Sequence, residues 1–261
     1  MTDVLPTQTD EWEHSLTATA QETIEHCRSL YDVEQLQPLF QVLPPGSKII
    51  EAGCGLGQYA YMFASLGHHC IGLDYSAKLV EEAASRGQSL PKLDGSTEWI
   101  EGNILDLPIE SNSVDCYASF GVLEHFVGAQ QRQIFAEAHR VLRPGGLHYQ
   151  FVPNFWSPWT IRREIRYWYR KLRPPGIVWQ RNIRRSKLRR LGKNAGFEEI
   201  CCQSTLATVS LRTMKAPKVI RRLCPAGLRS GCTRMVESMG DWCDKKDILG
   251  YGLVYIGKKV E

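Results

Sequence analysis

The segment IIEAGCGLGQ at residues 49–58 carries the residue types and spacing best suited to chemistry in this chain. An apolar run leads into Glu51, and glycines then follow at alternate positions, as Gly53, Gly55 and Gly57. Glycine permits positive φ angles and lets a ligand approach the main chain closely. A helix that begins after such a turn presents unpaired N–H groups. The pattern predicts a buried strand that ends in a tight, ligand-binding turn.

The glycine spacing distinguishes this turn from two other nucleotide-binding loops. The dinucleotide fingerprint G-x-G-x-x-G requires glycine at position 58, where the chain has Gln58. The phosphate-binding loop ends in G-K-[ST], which is absent here. The turn therefore fits neither of these two patterns.

Three further segments place polar or aromatic side chains where other strands are expected to end. Asp74 closes the run CIGLD, and an acid there can accept hydrogen bonds from both hydroxyls of a ribose. EGNILDLP follows at residues 101–108. SFGVLEHF at residues 119–126 is followed by RVLRPGG at residues 140–146. The order of these segments indicates one site built on successive strands.

Together, the four segments resemble the class I S-adenosyl-L-methionine (SAM) dependent methyltransferases. The resemblance covers residues 47–153 and continues more weakly to residue 206 and over the last strand. It implies SAM as the cofactor, bound across the carboxyl ends of the first strands. It also implies an α/β fold, with a doubly wound, Rossmann-like sheet of seven mostly parallel strands whose last strand is antiparallel.

The resemblance assigns cofactor contacts to individual residues. The backbone at Gly53, Gly55 and Gly57 is expected to lie against the methionine part of SAM, with Glu51 orienting the turn. Asp74 is expected to bind the ribose. The remaining expected cofactor contacts are Tyr75, Asn103, Ile104 and Phe120.

The adenine side departs from the family pattern at one position. Asn103 stands where the family usually has aspartate, and its amide can still pair with the edge of adenine. Tyr75 is expected to pack on adenine together with Ile104. The alternative for Tyr75 is that it covers the edge of the sheet.

His125 is the candidate catalytic residue. It follows the fourth predicted strand, near the SAM methyl group by family analogy, and imidazole has a basicity suited to removing a proton from an acceptor. The alternative is that His125 holds a loop in place, because the same LEH triplet occurs in family members with different acceptors. No metal site is expected, because Cys224, Cys232 and Cys243 lack metal-ligand spacing.

The elements around these residues alternate between strand and helix patterns. Strands are predicted at residues 47–52, 69–74, 98–102, 113–120, 147–152, 197–206 and 248–258. Helices are predicted at residues 10–30, 33–43, 58–66, 76–87, 129–142 and 186–195. This alternation predicts a mostly parallel sheet with helices on both faces.

The domain boundaries follow from this pattern. Residues 1–46 are expected to form an N-terminal helical lid, from which His14 and Tyr31 can contact the acceptor. Residues 47–261 are expected to form the methyltransferase domain, with basic insertions at about 155–185 and 213–243.

The first insertion combines aromatic side chains, including Trp156 and Trp159, with arginines at helical spacing. Such a segment can cover the active site and contact the acceptor, lie on an anionic membrane through residues 155–190, or bind single-stranded RNA. Nucleic acid is the least favoured of the three, because no RNA-binding module is visible.

Charge and composition bound the function further. The net charge is +4, yet residues 162–234 alone carry a net charge of +17, which indicates either an anionic partner or a solvated basic surface. No apolar run is long enough for a membrane-spanning helix, the N-terminus lacks signal-peptide character, and nine scattered cysteines fit reduced thiols. The expected location is the cytoplasm, with or without peripheral membrane contact.

The sequence thus favours transfer of a methyl group from SAM to a small-molecule or lipid-like acceptor, at an oxygen atom. Two alternatives stay open at this point. One is an RNA methyltransferase that uses the basic half to bind its substrate, and the other is a SAM-binding module without catalysis.

Overall fold

The computed structural model describes residues 30–90, 92–158, 160–162, 165, 183–205 and 250–260, and these form one sheet with helices on both faces. The strands are β1 (Lys48–Ala52), β2 (His69–Asp74), β3 (Ser96–Glu101), β4 (Val114–Phe120), β5 (Leu142–Pro153), β6 (Phe197–Thr205) and β7 (Gly252–Lys259). The helices are α1 (Leu30–Phe40), α2 (Gln58–Ser65), α3 (Ala77–Arg86), α4 (Ala129–Val141) and α5 (Arg185–Asn194).

The seven strands lie in the order β3-β2-β1-β4-β5-β7-β6. Neighbouring strands from β3 to β5 are parallel, whereas β7 is antiparallel to both β5 and β6. This confirms the predicted sheet with its antiparallel last strand. The parallel strands end at one edge, here called the carboxyl edge, at Ala52, Asp74, Glu101, Phe120 and Pro153.

The sheet is covered on both faces, which explains why its central strands read as continuous apolar runs. One core contains residues of α1 and α2, including Leu36, Leu39 and Phe63. The other contains residues of α4 and α5, including Phe135 and Leu188. Successive strand residues alternate between the two cores because side chains of a strand point to opposite faces.

Local signals in the sequence explain several element boundaries. The Ser76 side chain accepts a hydrogen bond from the Leu79 N–H at 3.3 Å, so it caps α3 as predicted. Gly67 follows α2 with φ of +84°, a conformation that glycine adopts readily. At the other end of the sheet, the Lys259 ammonium donates to Asn112 Oδ1 and to the carbonyls of His139 and Leu142 at 2.7–2.9 Å. Lys259 thus satisfies carbonyl groups where α4 ends.

The start of β5 differs from the prediction of residues 147–152. The strand begins at Leu142, directly after α4, and Leu142 pairs with Val114. The register then shifts so that Leu147 pairs with Cys116. The Pro-Gly-Gly segment at residues 144–146 therefore forms an irregularity inside the strand, since backbone pairing resumes on its far side.

Several predictions concern residues outside the described part of the chain. These are the helix over residues 10–30, the insertion at 213–243 and most of the amphipathic segment after residue 165. Among the described residues, no helix combines the length and apolar character needed to cross a membrane. The five cysteines whose state is described, Cys54, Cys70, Cys116, Cys201 and Cys202, are free thiols.

Candidate functional site

The glycine turn after β1 is tied directly to the end of β2. The N–H groups of Gly53 and Cys54 both donate to the Leu73 carbonyl, at 2.8 and 3.0 Å. The glycines adopt positive φ angles, +79° at Gly53, +52° at Gly55 and +74° at Gly57. Residues with side chains rarely adopt this conformation, so the spacing seen in the sequence has a backbone cause.

Two of these glycines also lack room for a side chain. A Cβ atom on Gly57 would lie 2.0 Å from the Trp99 ring, and one on Gly53 would lie 2.5 Å from Val122. Gly46 also has a positive φ, +69°, yet a Cβ there would meet no atom within 4 Å. The turn is therefore packed against β3 and the segment after β4, and the contribution of Trp99 had no signal in the sequence.

Glu51 forms a buried hydrogen bond next to the glycine turn. Its carboxylate accepts a hydrogen bond from the Ala60 N–H at 2.7 Å, in the first turn of α2, and the side chain is buried. Burial raises the pKa of Glu51 well above its usual range, and the nearby charge of Asp74 adds to the rise. This contact ties the end of β1 to the start of α2, on either side of the glycine turn. The orienting function of Glu51 stays a prediction.

Asp74 joins three strand ends. Its carboxylate accepts from the Gly55 N–H at 2.8 Å and from the Ser76 N–H at 3.1 Å. Its carbonyl accepts from the Gly102 N–H at 2.9 Å. Burial raises the pKa of Asp74, whereas the backbone hydrogen bonds act to lower it. The carboxylate thus lies beside the glycine turn, where a ribose contact remains a prediction.

The expected adenine contacts lie next to Asp74. Tyr75 is 54% exposed, and Ile104 is buried in the core beneath the edge. The Asn103 side-chain oxygen accepts a hydrogen bond from the Leu105 N–H at 2.9 Å. This oxygen shapes the loop after β3, and a contact between the Asn103 amide and a base stays a prediction.

Two charged residues of α4 hold the loop after Asn103. Glu137 accepts from the Leu107 N–H at 2.8 Å, and Arg140 donates to the carbonyls of Leu107 at 2.9 Å and Ile109 at 2.7 Å. The two side chains also pair with each other at 2.7 Å. Arg140 belongs to the RVLRPGG motif, so the motif was visible in the sequence although its contact with this loop was not.

An aromatic stack lies at the end of β4. The rings of Phe120 and Tyr59 are nearly parallel, with centroids 3.7 Å apart. The Tyr59 hydroxyl accepts from the Gln35 side chain at 2.8 Å, and the Gln35 carbonyl accepts from the Tyr149 hydroxyl at 3.1 Å. Helix α1 is thereby linked to the residues that flank the glycine turn. The contacts of Gln35 and Tyr59 had no clear signal in the sequence.

His125 lies in a short helical turn, Leu123–His125, that follows β4. The backbone N–H of His125 donates to the Val122 carbonyl at 3.0 Å, and Val122 is the residue that packs on Gly53. The side chain is partly buried, and its Nε2 atom is shielded from solvent. His125 thus follows β4 at the carboxyl edge, and its catalytic function stays a prediction.

The predicted acceptor residues are described only in part. Trp156 is 59% exposed just beyond β5, and its ring meets Phe155 edge-on at 4.7 Å. Tyr31 lies in α1, whose side chains are described from Gln35 onwards. His14 and Trp159 lie outside the described residues.

The carboxyl edge therefore brings together most of the expected cofactor residues. Bare glycine backbone, the Asp74 carboxylate and the exposed Tyr75 ring form a series that fits an amino-acid, a ribose and an adenine group in turn. Within the described residues, no cluster of His, Cys, Asp and Glu side chains could hold a metal ion.

Comparisons with known proteins agree with this arrangement. Residues 50–149 match the protein family described as a methyltransferase domain. A relative in Mycolicibacterium smegmatis, named a probable S-adenosylmethionine-dependent methyltransferase, is 38% identical over 109 residues, or 42% of this chain and 39% of that protein. A Bos taurus relative named probable tRNA methyltransferase 9B is 36% identical over 113 residues, or 43% of this chain and 22% of that protein.

The fold is also similar to solved structures. The crystal structure of a SAM-dependent methyltransferase from Methanosarcina mazei matches with a TM-score of 0.60 at 18% identity, over 85% of this chain and 96% of that one. At this identity the similarity concerns the fold alone. The chain spans less than half the length of these two curated relatives.

Proposed function

The chain belongs to the class I SAM-dependent methyltransferase family, and from this premise we propose that it transfers the SAM methyl group to a small-molecule or lipid-like acceptor, at an oxygen atom. The observation that carries the proposal is the glycine turn braced by Asp74, with His125 beside it at the same edge. These residues provide a place for the methyl donor and a candidate base next to it.

The residues at the edge have separate binding functions in this proposal. SAM, when bound, supplies an activated methyl group on a sulfonium centre. The backbone at Gly53 and Gly57 holds the methionine part, and Asp74 accepts hydrogen bonds from the ribose hydroxyls. Tyr75 covers the adenine, and the Asn103 amide meets its edge.

Methyl transfer then depends mainly on positioning the acceptor. An in-line displacement gains most from holding the two reacting atoms together in a dry site. The stacked rings of Phe120 and Tyr59 form an apolar wall at the end of β4. His125 removes the proton of an acceptor hydroxyl. The alternative function of His125 is to fix the turn on which Val122 packs.

The acceptor is selected by elements outside the family match. Residues 1–46, of which residues 30–46 are described, act as a lid over the acceptor. The side chains that contact the acceptor are His14, Tyr31, Trp156 and Trp159. A lipid-like acceptor is consistent with peripheral contact between residues 155–190 and an anionic membrane from the cytoplasmic side.

RNA methylation is the second candidate function, favoured by a specific observation. The outer face of α5 is basic, with Arg190 and Lys193 exposed, while Leu188 and Leu191 are buried beneath. A relative named as a tRNA methyltransferase supports the same candidate. A basic helix face can bind phosphates of a nucleic acid.

The experiment that separates these candidates follows the methyl group. The purified chain is incubated with methyl-labelled SAM and a cell extract, and the products are separated into lipid-extractable, small polar and RNA fractions. We expect the label in the lipid-extractable or small polar fraction, and we expect nuclease treatment to leave its distribution unchanged. Label that is released by nuclease would favour the RNA candidate, and SAM binding without any labelled product would favour a non-catalytic binding module.

A further inference from the structure

Three apolar side chains are exposed within ten residues of each other, just beyond β5. Their exposed fractions are 59% for Trp156, 41% for Ile161 and 61% for Ile165. We call these three residues the Trp156 patch. Isolated exposed apolar residues are common on protein surfaces, whereas several large ones close together usually mark a contact surface.

Polar contacts fix the backbone on which the patch begins. The Asn154 side chain donates to the Gly250 carbonyl at 3.0 Å and accepts from the Trp156 N–H at 3.1 Å. The Ser157 hydroxyl accepts from the Thr160 N–H at 3.0 Å, which caps the helical residues that follow. Trp156 is therefore exposed on an ordered segment.

The two isoleucines lie on one side of these helical residues. Ile161 and Ile165 are four positions apart, and residues at that spacing are neighbours on a helix surface. Their shared exposure therefore presents one apolar face.

The patch opens on the same edge of the sheet as the cofactor turn. Parallel strands β1 and β5 end at Ala52 and Pro153, with β4 between them. Adjacent strands are separated by about 4.8 Å, so β1 and β5 lie about 10 Å apart across the sheet. A surface bound by the patch would therefore lie close to the methyl donor.

Positive charge accompanies the apolar side chains. The Arg184 guanidinium lies 4.8 Å from the centre of the Phe155 ring and 5.8 Å from that of Trp156. Arg162 and Arg184 are both exposed, and residues 162–234 carry a net charge of +17. Apolar and aromatic side chains flanked by arginines suit the interface of a bilayer with anionic headgroups.

We infer that the Trp156 patch inserts into the surface of an anionic lipid bilayer, with Arg184 and Arg162 at the level of the headgroups. The carboxyl edge then faces the membrane, and an acceptor dissolved in the bilayer reaches the methyl donor from that side. Delivery of an acceptor from the bilayer rests on the proposed methyl transfer, whereas binding of the Trp156 patch to the bilayer does not.

The test uses phosphatidylcholine vesicles with and without phosphatidylglycerol, mixed with the full chain in the absence of SAM. We expect co-sedimentation with the anionic vesicles, of which a part persists at high salt, because apolar insertion is insensitive to screening. Ile165→Asp should weaken vesicle binding at least about tenfold, since a charge replaces an exposed apolar side chain that would insert into the bilayer. Ile200→Asp is the matched control, because Ile200 is 43% exposed on β6, away from the patch.

Three outcomes would overturn the inference. The chain could stay in the supernatant with anionic vesicles, or the two aspartate variants could lose binding equally. Light scattering could also show a dimer that Ile165→Asp dissociates, in which case a second copy of the chain covers the patch. Binding of S-adenosylhomocysteine, the demethylated product of SAM, is measured separately by calorimetry, so a failure there refutes the proposed function and leaves the vesicle result unaffected.

Discussion

The two sides of the carboxyl edge are built in opposite ways. Around the glycine turn, buried carboxylates bind main-chain N–H groups, Asp74 with Gly55 at 2.8 Å and Glu51 with Ala60 at 2.7 Å. Beyond β5, the apolar side chains point outward, and Trp156 and Ile165 are each about 60% exposed. The first side is fixed by the backbone, and the second presents side chains on a surface.

This difference shows which part of the site can vary. A turn whose backbone angles and packing are both fixed tolerates few substitutions, because each change disturbs the strands that carry it. Exposed side chains beyond β5 can change without disturbing the sheet, and binding specificity in α/β folds commonly resides in such segments. The cofactor side should therefore be sensitive to small changes, and the acceptor side should respond mainly in substrate or membrane binding.

The largest expected effect is on the glycine turn itself. Gly57→Ala should destabilise the chain by about 3 kcal/mol or more, because the added Cβ both strains the backbone and meets Trp99. Gly46→Ala should cost only about 1–2 kcal/mol, since its φ is equally positive but no atom lies nearby. Urea unfolding measures the free energy of unfolding of each variant. Equal losses would show that packing on Trp99 adds nothing to the rigidity of the turn.

The second prediction concerns the boundary between the two sides, where His125 lies. His125→Ala should lower kcat about 10²-fold or more, with the acceptor identified by methyl labelling, while affinity for S-adenosylhomocysteine stays near that of the wild type. His139→Ala is the control, because His139 packs on Phe197 with ring centroids 5.3 Å apart, away from the edge. A kcat unchanged between about pH 6 and 9 would leave His125 with a structural function only.

The third prediction tests the cofactor side by calorimetry. Asp74→Ala should weaken S-adenosylhomocysteine binding by about 1–3 kcal/mol, because the ribose hydroxyls lose a charged acceptor. Asp115→Ala is the matched control, since Asp115 accepts from the Lys48 N–H at 2.8 Å at the opposite end of β1. An Asp74 variant with wild-type affinity would remove this carboxylate from the cofactor contacts.

The smallest expected effect is on the pH dependence of stability. Burial raises the pKa of Glu51, so the folded state favours the protonated form of this side chain. The free energy of unfolding therefore falls as pH rises through the raised pKa. Glu51→Gln keeps an oxygen for the Ala60 N–H and removes the buried charge. Its Tm should therefore exceed that of the wild type by an amount that grows with pH, measured by calorimetry from about pH 5 to about pH 9. A difference that shrinks as pH rises would contradict the assignment.

The backbone features around the glycine turn were predictable because they depend on local signals. The alternate glycines, the acid at the end of β2 and the Ser76 cap each act within a few residues of chain. The strand and helix alternation also predicted a mostly parallel sheet with helices on both faces, which the structure has.

Contacts between distant residues were not predictable in the same way. Gln35 binds Tyr59, 24 positions away, and Arg140 reaches the Leu107 carbonyl, 33 positions away. The start of β5 at Leu142 was also missed, because the Pro-Gly-Gly segment indicated a break before the strand. In each case the outcome depends on which elements pack together, and local propensity does not contain that information.

The position of β7 has a consequence for how the chain folds during synthesis. Strand β6 pairs with β7 within the described sheet, and β7 in turn joins it to β5. Until Gly252–Lys259 leaves the ribosome, Phe197–Thr205 has no neighbour in that sheet, although β1 to β5 can already pair. Such late pairing between distant segments is slow and leaves a strand edge open to other chains. A nascent chain stalled before residue 252 should therefore expose β6 and depend on chaperones.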